Sequence, residues 1–118
     1  MEKIFRRLRV LVVTAIAGQV YKRAVTLAER RHNETGRQVF VISNPKDGRE
    51  LIALTDREFL DMRSRMGVRG KDAPLKLLKA GCWYHTANQY GNDGISERYA
   101  DIRRAALIKE SLRGAGLI

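Results

Sequence analysis

Two apolar segments flanking a turn decide the fold: Gln38-Val-Phe-Val-Ile-Ser43, then Asn44-Pro-Lys-Asp-Gly48, then Arg49-Glu-Leu-Ile-Ala-Leu54. Val, Ile and Phe favour strands, Pro45 presets a turn and Gly48 accepts a positive φ, so this stretch predicts a β-hairpin. Both faces of each strand are apolar. We therefore expect the hairpin to be sandwiched between layers of helix.

The residues after the hairpin predict short helices and a third strand. The first helix begins at a Thr55–Glu58 capping box and ends near Met66, and the second, a short one, is capped by Asp72 and closed by Gly81. A strand at Cys82–Thr86 and a turn-rich loop at Asn88–Gly94 follow. The last helix runs from Glu97 to about Arg113 and is capped by Ser96. The sequence thus predicts helices packed around a small sheet.

Upstream of the hairpin, the residues from Glu2 to about His32 predict one long helix that Gly36 closes. The fold class is therefore α+β: a long N-terminal helix and a hairpin, with the third strand, packed by short helices and a C-terminal helix. We divide the chain into a basic, partly apolar N-terminal helix over residues 1–35 and a small α+β domain over residues 36–118.

An apolar run, Val10–Ala17, follows the basic start of this first helix. Three interpretations remain open: a signal peptide with an A-x-A site at residues 15–17, an interfacial membrane helix, and a helix buried against a partner. A membrane span is excluded on this reasoning, because the apolar run ends at Tyr21 and a span needs about 20 residues. The candidate residues for membrane or partner contact are Val10, Leu11, Val12, Val13, Ile16 and Val20.

The charge is concentrated at the same end of the chain. The whole chain has 23 Lys or Arg and 13 Asp or Glu, a net charge of +10. Residues 1–31 carry a net +6, residues 32–70 a net +1 and residues 71–118 a net +3. More than half of the excess therefore belongs to the first quarter of the chain, which predicts an anionic partner for that segment.

Two basic clusters bracket the apolar run, and further basic residues surround a glycine-containing loop. The candidate anion-binding or nucleic-acid-binding residues are Arg6, Arg7, Arg9, Lys22, Arg23, Arg30, Arg31, Arg63, Arg65, Arg69 and Lys71. Trp83, Tyr84 and Tyr90 are close in sequence and could stack on bases. The alternative is that Trp83 anchors the core and the Arg side chains are simply solvated.

The residue types that carry chemistry are few. Cys82, His32 and His85 cannot supply the four ligands of a structural zinc site, and one Cys excludes an internal disulfide. Cys82 and His85 are three residues apart on a predicted strand, where we expect their side chains to point to opposite faces. We therefore expect a buried, inert Cys82, no metal, no cofactor and no enzymatic activity.

Several short motifs follow one another in an order that is similar to one known group of proteins. They are Glu29-Arg-Arg-His-Asn-Glu-Thr-Gly36, a strand containing Val41, Asp47-Gly48, Leu54-Thr-Asp-Arg-Glu-Phe59, Cys82-Trp-Tyr-His85 and Gly91-x-x-Gly94-Ile-Ser96. Over about residues 28–104 the chain resembles small basic proteins of unassigned function encoded by bacteriophages of gut bacteria, including small single-stranded DNA phages. The resemblance implies a viral protein, either a virion or an assembly component, and lends no role to any residue.

Together these observations predict a non-enzymatic phage accessory or virion-associated protein. It would bind nucleic acid or another anionic surface, and other viral protein subunits, in the host cytoplasm or in the virion. The alternative is a membrane-associated protein anchored by an interfacial N-terminal helix. Assembly into a homo-oligomer stays open.

Overall fold

The computed structural model describes residues 2–47, 50–65 and 74–118. The described helices and strands are α1 at Glu2–Thr35, β1 at Val39–Ser43, β2 at Leu51–Thr55, α2 at Asp56–Arg65, α3 at Pro74–Gly81, β3 at Tyr84–His85 and α4 at Glu97–Gly114. This is the predicted α+β architecture. The predicted cap at Asp72 and the helix end near Met66 lie outside the described residues.

The three strands form one antiparallel sheet in the order β2-β1-β3. β1 and β2 form the predicted hairpin, and the amide of Asn44 donates to the carbonyl of Glu50 (2.8 Å) next to the turn. β3 pairs with the other edge of β1 and places His85 opposite Phe40. The hairpin and the third strand are confirmed, while the predicted role of Gly48 lies outside the described residues.

Helices cover both faces of the sheet, as the apolar pattern of the strands predicts. Val39 and Val41 face α1 and pack against Ala24 and Ala28. Phe40, between them, points to the opposite face and enters a second cluster that α2 and α3 complete. Alternate residues of one strand therefore hold two helical layers together.

α1 supports two different elements along its length. Its second half packs on the sheet, and its first half runs antiparallel to α4. Arg6 donates to the carbonyl of Leu117 (3.0 Å) at one end of this helix pair, and Tyr21 donates to the carbonyl of Ala100 (3.2 Å) at the other. At about 1.5 Å per residue, the 34 residues of α1 extend nearly as far as the longest dimension of the protein, 53 Å.

Tyr21 joins three elements where the two halves of α1 meet. Tyr21 is 4% exposed, and its single hydroxyl proton is shared between the carbonyls of Trp83 (2.9 Å) and Ala100 (3.2 Å). Trp83 directly precedes β3, and Ala100 lies in the first turn of α4. Burial raises the pKa of Tyr21 to about 12, so the hydroxyl keeps its proton and remains a donor even above pH 10.

The predicted helix ends are confirmed where the structure describes them. The amide of Thr55 donates to Oε1 of Glu58 (3.0 Å), and the amide of Glu58 donates to Oγ1 of Thr55 (3.2 Å), which completes the capping box. Ser96 accepts from the amide of Tyr99 (3.3 Å) at the start of α4. Gly36 follows α1 with a φ of +70°, the left-handed conformation that commonly ends a helix.

We expect Tyr21→Phe to lower the free energy of unfolding by about 1–3 kcal/mol, because the one donor that two carbonyls share is lost while the ring remains. Tyr99→Phe is the matched control, since Tyr99 is 62% exposed. Urea unfolding followed by tryptophan fluorescence measures both variants. Equal stability of the two variants would contradict the bridging role of Tyr21.

The raised pKa gives this contact a pH dependence of defined sign. The folded state favours the protonated phenol, because the pKa rises from an ordinary value of 10.0 to about 12. The contribution of Tyr21 is therefore complete below pH 10 and is lost as the pH rises towards 12. Unfolding measured between about pH 9 and 12 should show a steeper loss of stability for the wild type than for Tyr21→Phe.

Candidate functional site

The side of α1 that faces away from α4 and the sheet carries large apolar side chains along the first half of the helix. At 3.6 residues per turn, they all project within about 80° of Leu8. These side chains, each between 51% and 66% exposed and here named the apolar stripe, are Ile4, Phe5, Leu8, Leu11, Val12 and Ile16. Ile16 lies at the margin of the stripe, where it also lines a groove with Leu107 and Ser111 of α4. The described parts of the chain leave this stripe largely uncovered, and extended exposed apolar patches are uncommon on monomeric proteins.

The six apolar residues predicted to contact a membrane or a partner divide between the two sides of α1. Half of them belong to the apolar stripe. The half-buried others, which project more than about 100° away from Leu8, are Val10, Val13 and Val20. The sequence prediction missed Ile4, Phe5 and Leu8, which lie among the arginines of the basic start. Leu8 follows Ile4 by four residues and Phe5 by three, and it precedes Leu11 by three; this helical spacing was the available signal.

Arg7 and Arg9 border the apolar stripe. They precede and follow Leu8, so they project about 100° to either side of it, and both are exposed. Arg6 projects to the other side of α1 and donates to the carbonyl of Leu117 (3.0 Å). Of the predicted cluster of Arg6, Arg7 and Arg9, the last two therefore lie along the apolar stripe, whereas Arg6 bonds α1 to Leu117, which follows α4.

The same side of α1 becomes basic in its second half. Thr26 projects in the same direction as Leu8, about five turns further along the helix. Thr26 lies in a shallow depression of the surface. The other residues that line this depression are Gln19, Lys22, Arg23, Leu27 and Arg30. We name Lys22, Arg23 and Arg30, which are all exposed, the basic ridge. One face of α1 is thus apolar at its start and cationic towards its end.

Arg31 has a structural contact that the sequence does not predict. Its Nη1 donates to the carbonyl of Ala53 (2.6 Å) on the free edge of β2, and its Nη2 lies 2.7 Å from Oε1 of Glu58. Burial acts to raise the pKa of Glu58, but the amide of Thr55 and the charge of Arg31 hold it below the ordinary value. Arg31 therefore links α1 to α2 across an edge strand, which is a position that proteins protect from unwanted pairing.

The remaining predicted basic residues lie away from this face. Arg63 and Arg65 are in the last turn of α2. α2 packs through Phe59 on the side of the sheet opposite to α1. Arg69 and Lys71 lie outside the described residues. The predicted anion-binding set is therefore not one continuous surface.

The three aromatic residues predicted to stack on bases have different environments. The indole of Trp83 donates to Oγ of Ser43 (3.0 Å), and the hydroxyl of Tyr84 donates to Oε1 of Glu29 (2.5 Å). Both rings pack against the cluster between α1 and the sheet. Tyr90 is 77% exposed in the loop before α4. Trp83 is thus a core anchor, which was the alternative that the sequence left open.

The prediction that Cys82 and His85 point to opposite faces is wrong. β3 begins only at Tyr84, so Cys82 lies in the bend before the strand and packs with Phe40, on the same side of the sheet as His85. Cys82 is 1% exposed, and burial raises the pKa of its thiol and lowers the pKa of the His85 imidazole. Both shifts favour neutral side chains and disfavour a reactive thiolate.

By length and composition alone, α1 could cross a membrane, and it is the one helix of the described residues that meets this requirement. The exclusion of a span from the end of the apolar run at Tyr21 is therefore too strict. Core helices and N-terminal signal sequences meet the same requirement. Only 22% of the apolar 18-residue stretch of α1 is buried, however, whereas a core helix is mostly buried.

No protein-family model, curated protein or solved structure matches the chain. The resemblance to phage proteins therefore stays a prediction, and no residue inherits a role from a relative. The outward face of α1 is the feature from which a function can be inferred.

We expect Arg31→Ala to lower the free energy of unfolding by about 1–3 kcal/mol, because the carbonyl of Ala53 and the carboxylate of Glu58 both lose a charged donor. Arg30→Ala is the matched control, since the neighbouring Arg30 is exposed. It should change the stability by less than about 0.5 kcal/mol. Urea unfolding compares the two, and a larger loss for Arg30→Ala would contradict this assignment.

Proposed function

We propose that this is a non-enzymatic, membrane-associated protein that attaches to an anionic membrane surface through the first half of α1. The observation that carries the proposal is the apolar stripe, more than half exposed and bordered on both sides by Arg7 and Arg9. A helix of this kind lies in the interfacial region with its apolar face buried about 5–10 Å into the boundary between headgroups and acyl chains. The arginines at the borders can then reach the phosphates while their stems stay in contact with apolar groups.

Interfacial attachment fits the fold better than a membrane span does. α4 lies along the back of the first half of α1, and it carries exposed charged residues that include Arg104, Lys109 and Glu110. A charged side chain at the centre of a bilayer costs at least about 2.5–3.5 kcal/mol. A span would therefore require α4 to separate from α1, whereas interfacial binding leaves the fold as it is.

The charges of α1 favour a lipid over a second copy of the chain as the occupant of the stripe. Residues 1–31 contain eight Lys or Arg but only Glu2 and Glu29 as acidic residues. A second copy that presented its own first half of α1 would supply apolar side chains but almost no carboxylates for Arg7 and Arg9. An anionic phospholipid supplies acyl chains and phosphates together.

Nucleic-acid binding, within a phage accessory or virion-associated role, is the second candidate. The basic ridge favours it, because three exposed cations on one face of a helix can neutralise backbone phosphates. It leaves the apolar stripe without a counterpart, since the surface of a nucleic acid is polar and charged. The affinity for a DNA duplex should fall steeply between low and high salt if this candidate is correct.

We expect Leu8→Ser to weaken binding to vesicles that contain phosphatidylglycerol by about tenfold, because a side chain that would be buried in the interface becomes polar. Ile102→Ser is the matched control, since Leu8 and Ile102 are each 51% exposed. Ile102 follows Ala100 by about 200° around α4, so it faces away from α1. Vesicle co-sedimentation of the full chain measures both variants.

Two outcomes would contradict the proposal. The first is that the wild type stays in the supernatant with anionic vesicles. The second is that Leu8→Ser and Ile102→Ser weaken binding equally, which would indicate a general effect of surface hydrophobicity. A dimer that Leu8→Ser dissociates, together with no vesicle binding, would assign the apolar stripe to a second copy.

A further inference from the structure

We infer that α1 binds at an incline to the membrane plane, with its N-terminal half deeper and the basic ridge at the level of the lipid phosphates. The inference rests on the proposed function and goes further in two respects. It names the group that the second half of α1 contacts, the phosphate of an anionic phospholipid. It also gives the orientation of the protein on the surface.

The first step is that one face of α1 must meet the membrane along both halves of the helix. Thr26 projects in the same direction as Leu8, and Lys22 and Arg23 lie on either side of that direction. The opposite face is occupied throughout, by α4 along the first half and by the sheet along the second. A membrane that contacts the apolar stripe therefore also approaches the basic ridge.

The second step concerns depth, because the two halves cannot lie equally deep. The apolar stripe is most stable below the headgroups, whereas Lys22, Arg23 and Arg30 are most stable at the phosphates. The centres of the stripe and the ridge are roughly 15 residues, or about 22 Å, apart along α1. A depth difference of about 5–10 Å over this length corresponds to an inclination of roughly 15–25°.

The third step is that the cations of the basic ridge are exposed and can bind lipid phosphates. Lys22, Arg23 and Arg30 are exposed, and within the described residues none of them forms an ion pair. Glu29, the acidic residue of α1 closest in sequence to the ridge, accepts a hydrogen bond from Tyr84 (2.5 Å). From the hairpin, Asp47 and Glu50 line a groove together with Arg23. Each Lys or Arg held near an anionic membrane surface contributes about 1 kcal/mol. The ridge therefore makes binding selective for anionic lipids.

Depth measurements test the inclination. A nitroxide label is placed in turn on Leu8→Cys, Ala15→Cys and Thr26→Cys, which project in nearly the same direction from α1. The native Cys82 is 1% exposed, so the unsubstituted chain serves as the labelling control. Collision with oxygen and with a polar nickel complex gives the depth of each label in vesicles that contain phosphatidylglycerol.

We expect depth to decrease steadily from residue 8 to residue 26, with a total difference of about 7–11 Å for the inclination given above. Equal depths at all three positions would overturn the inclination while leaving membrane attachment in place. Labels that stay in water at all three positions would overturn both the inclination and the proposed function.

A charge comparison tests the phosphate contact. The ridge variant combines Lys22→Gln, Arg23→Gln and Arg30→Gln, and a matched variant removes the same charge from exposed positions of α4 with Arg98→Gln, Lys109→Gln and Arg113→Gln. At about 1 kcal/mol per cation, the ridge variant should bind anionic vesicles about 100-fold more weakly than the wild type. The α4 variant should lose much less.

Vesicles of phosphatidylcholine alone complete the comparison. There the ridge variant and the wild type should bind equally, because the phosphates carry no net attraction for the ridge once each is paired with choline. Equal losses for the ridge and α4 variants on anionic vesicles would overturn the phosphate contact. So would a ridge variant that keeps its vesicle binding but loses binding to a DNA duplex.

Discussion

The rest of the structure depends on the contact between the back of α1 and two partners, the sheet and α4. Ala17, Ala24 and Ala28 line this back, and their small side chains let a helix approach closely. Tyr21 lies among them and bonds both to the residue before β3 and to the first turn of α4. Because α4 and the sheet together cover this side of α1, they also determine which side of the helix faces outward along its whole length.

This constraint gives the basic residues of the first quarter of the chain different roles. Arg6 and Arg31 project towards the fold and bond to the carbonyls of Leu117 and Ala53. Arg7 and Arg9 project along the borders of the apolar stripe, and the basic ridge continues on the same face. The net charge of +6 in residues 1–31 is therefore partly structural, and only the remainder is free to attract an anionic surface.

The features that could be predicted from the sequence depend on neighbouring residues. The hairpin, the Thr55–Glu58 capping box and the end of α1 at Gly36 each follow from a few consecutive side chains. The outward face of α1 could not be assigned in this way, because the first half of the helix is apolar on two sides and periodicity does not say which side α4 covers. The bond between Arg31 and Ala53 joins residues 22 positions apart, and no local pattern indicates it. Cys82 and His85 were misplaced because the chain bends before β3.

The magnitudes involved explain why the two halves of α1 would act together. Full burial of a large apolar side chain stabilises by about 1.5–3 kcal/mol, and the side chains of the apolar stripe, already partly covered, contribute less, about 1 kcal/mol each. Arg7, Arg9 and the three cations of the basic ridge contribute about 1 kcal/mol each at an anionic surface. Six apolar side chains and five cations therefore supply similar amounts, and much of either sum offsets the cost of immobilising the protein. A single weak anchor binds a membrane only marginally, whereas two such contributions hold a protein there. A neutral bilayer would lack one of them and a nucleic acid the other, and an anionic bilayer provides both.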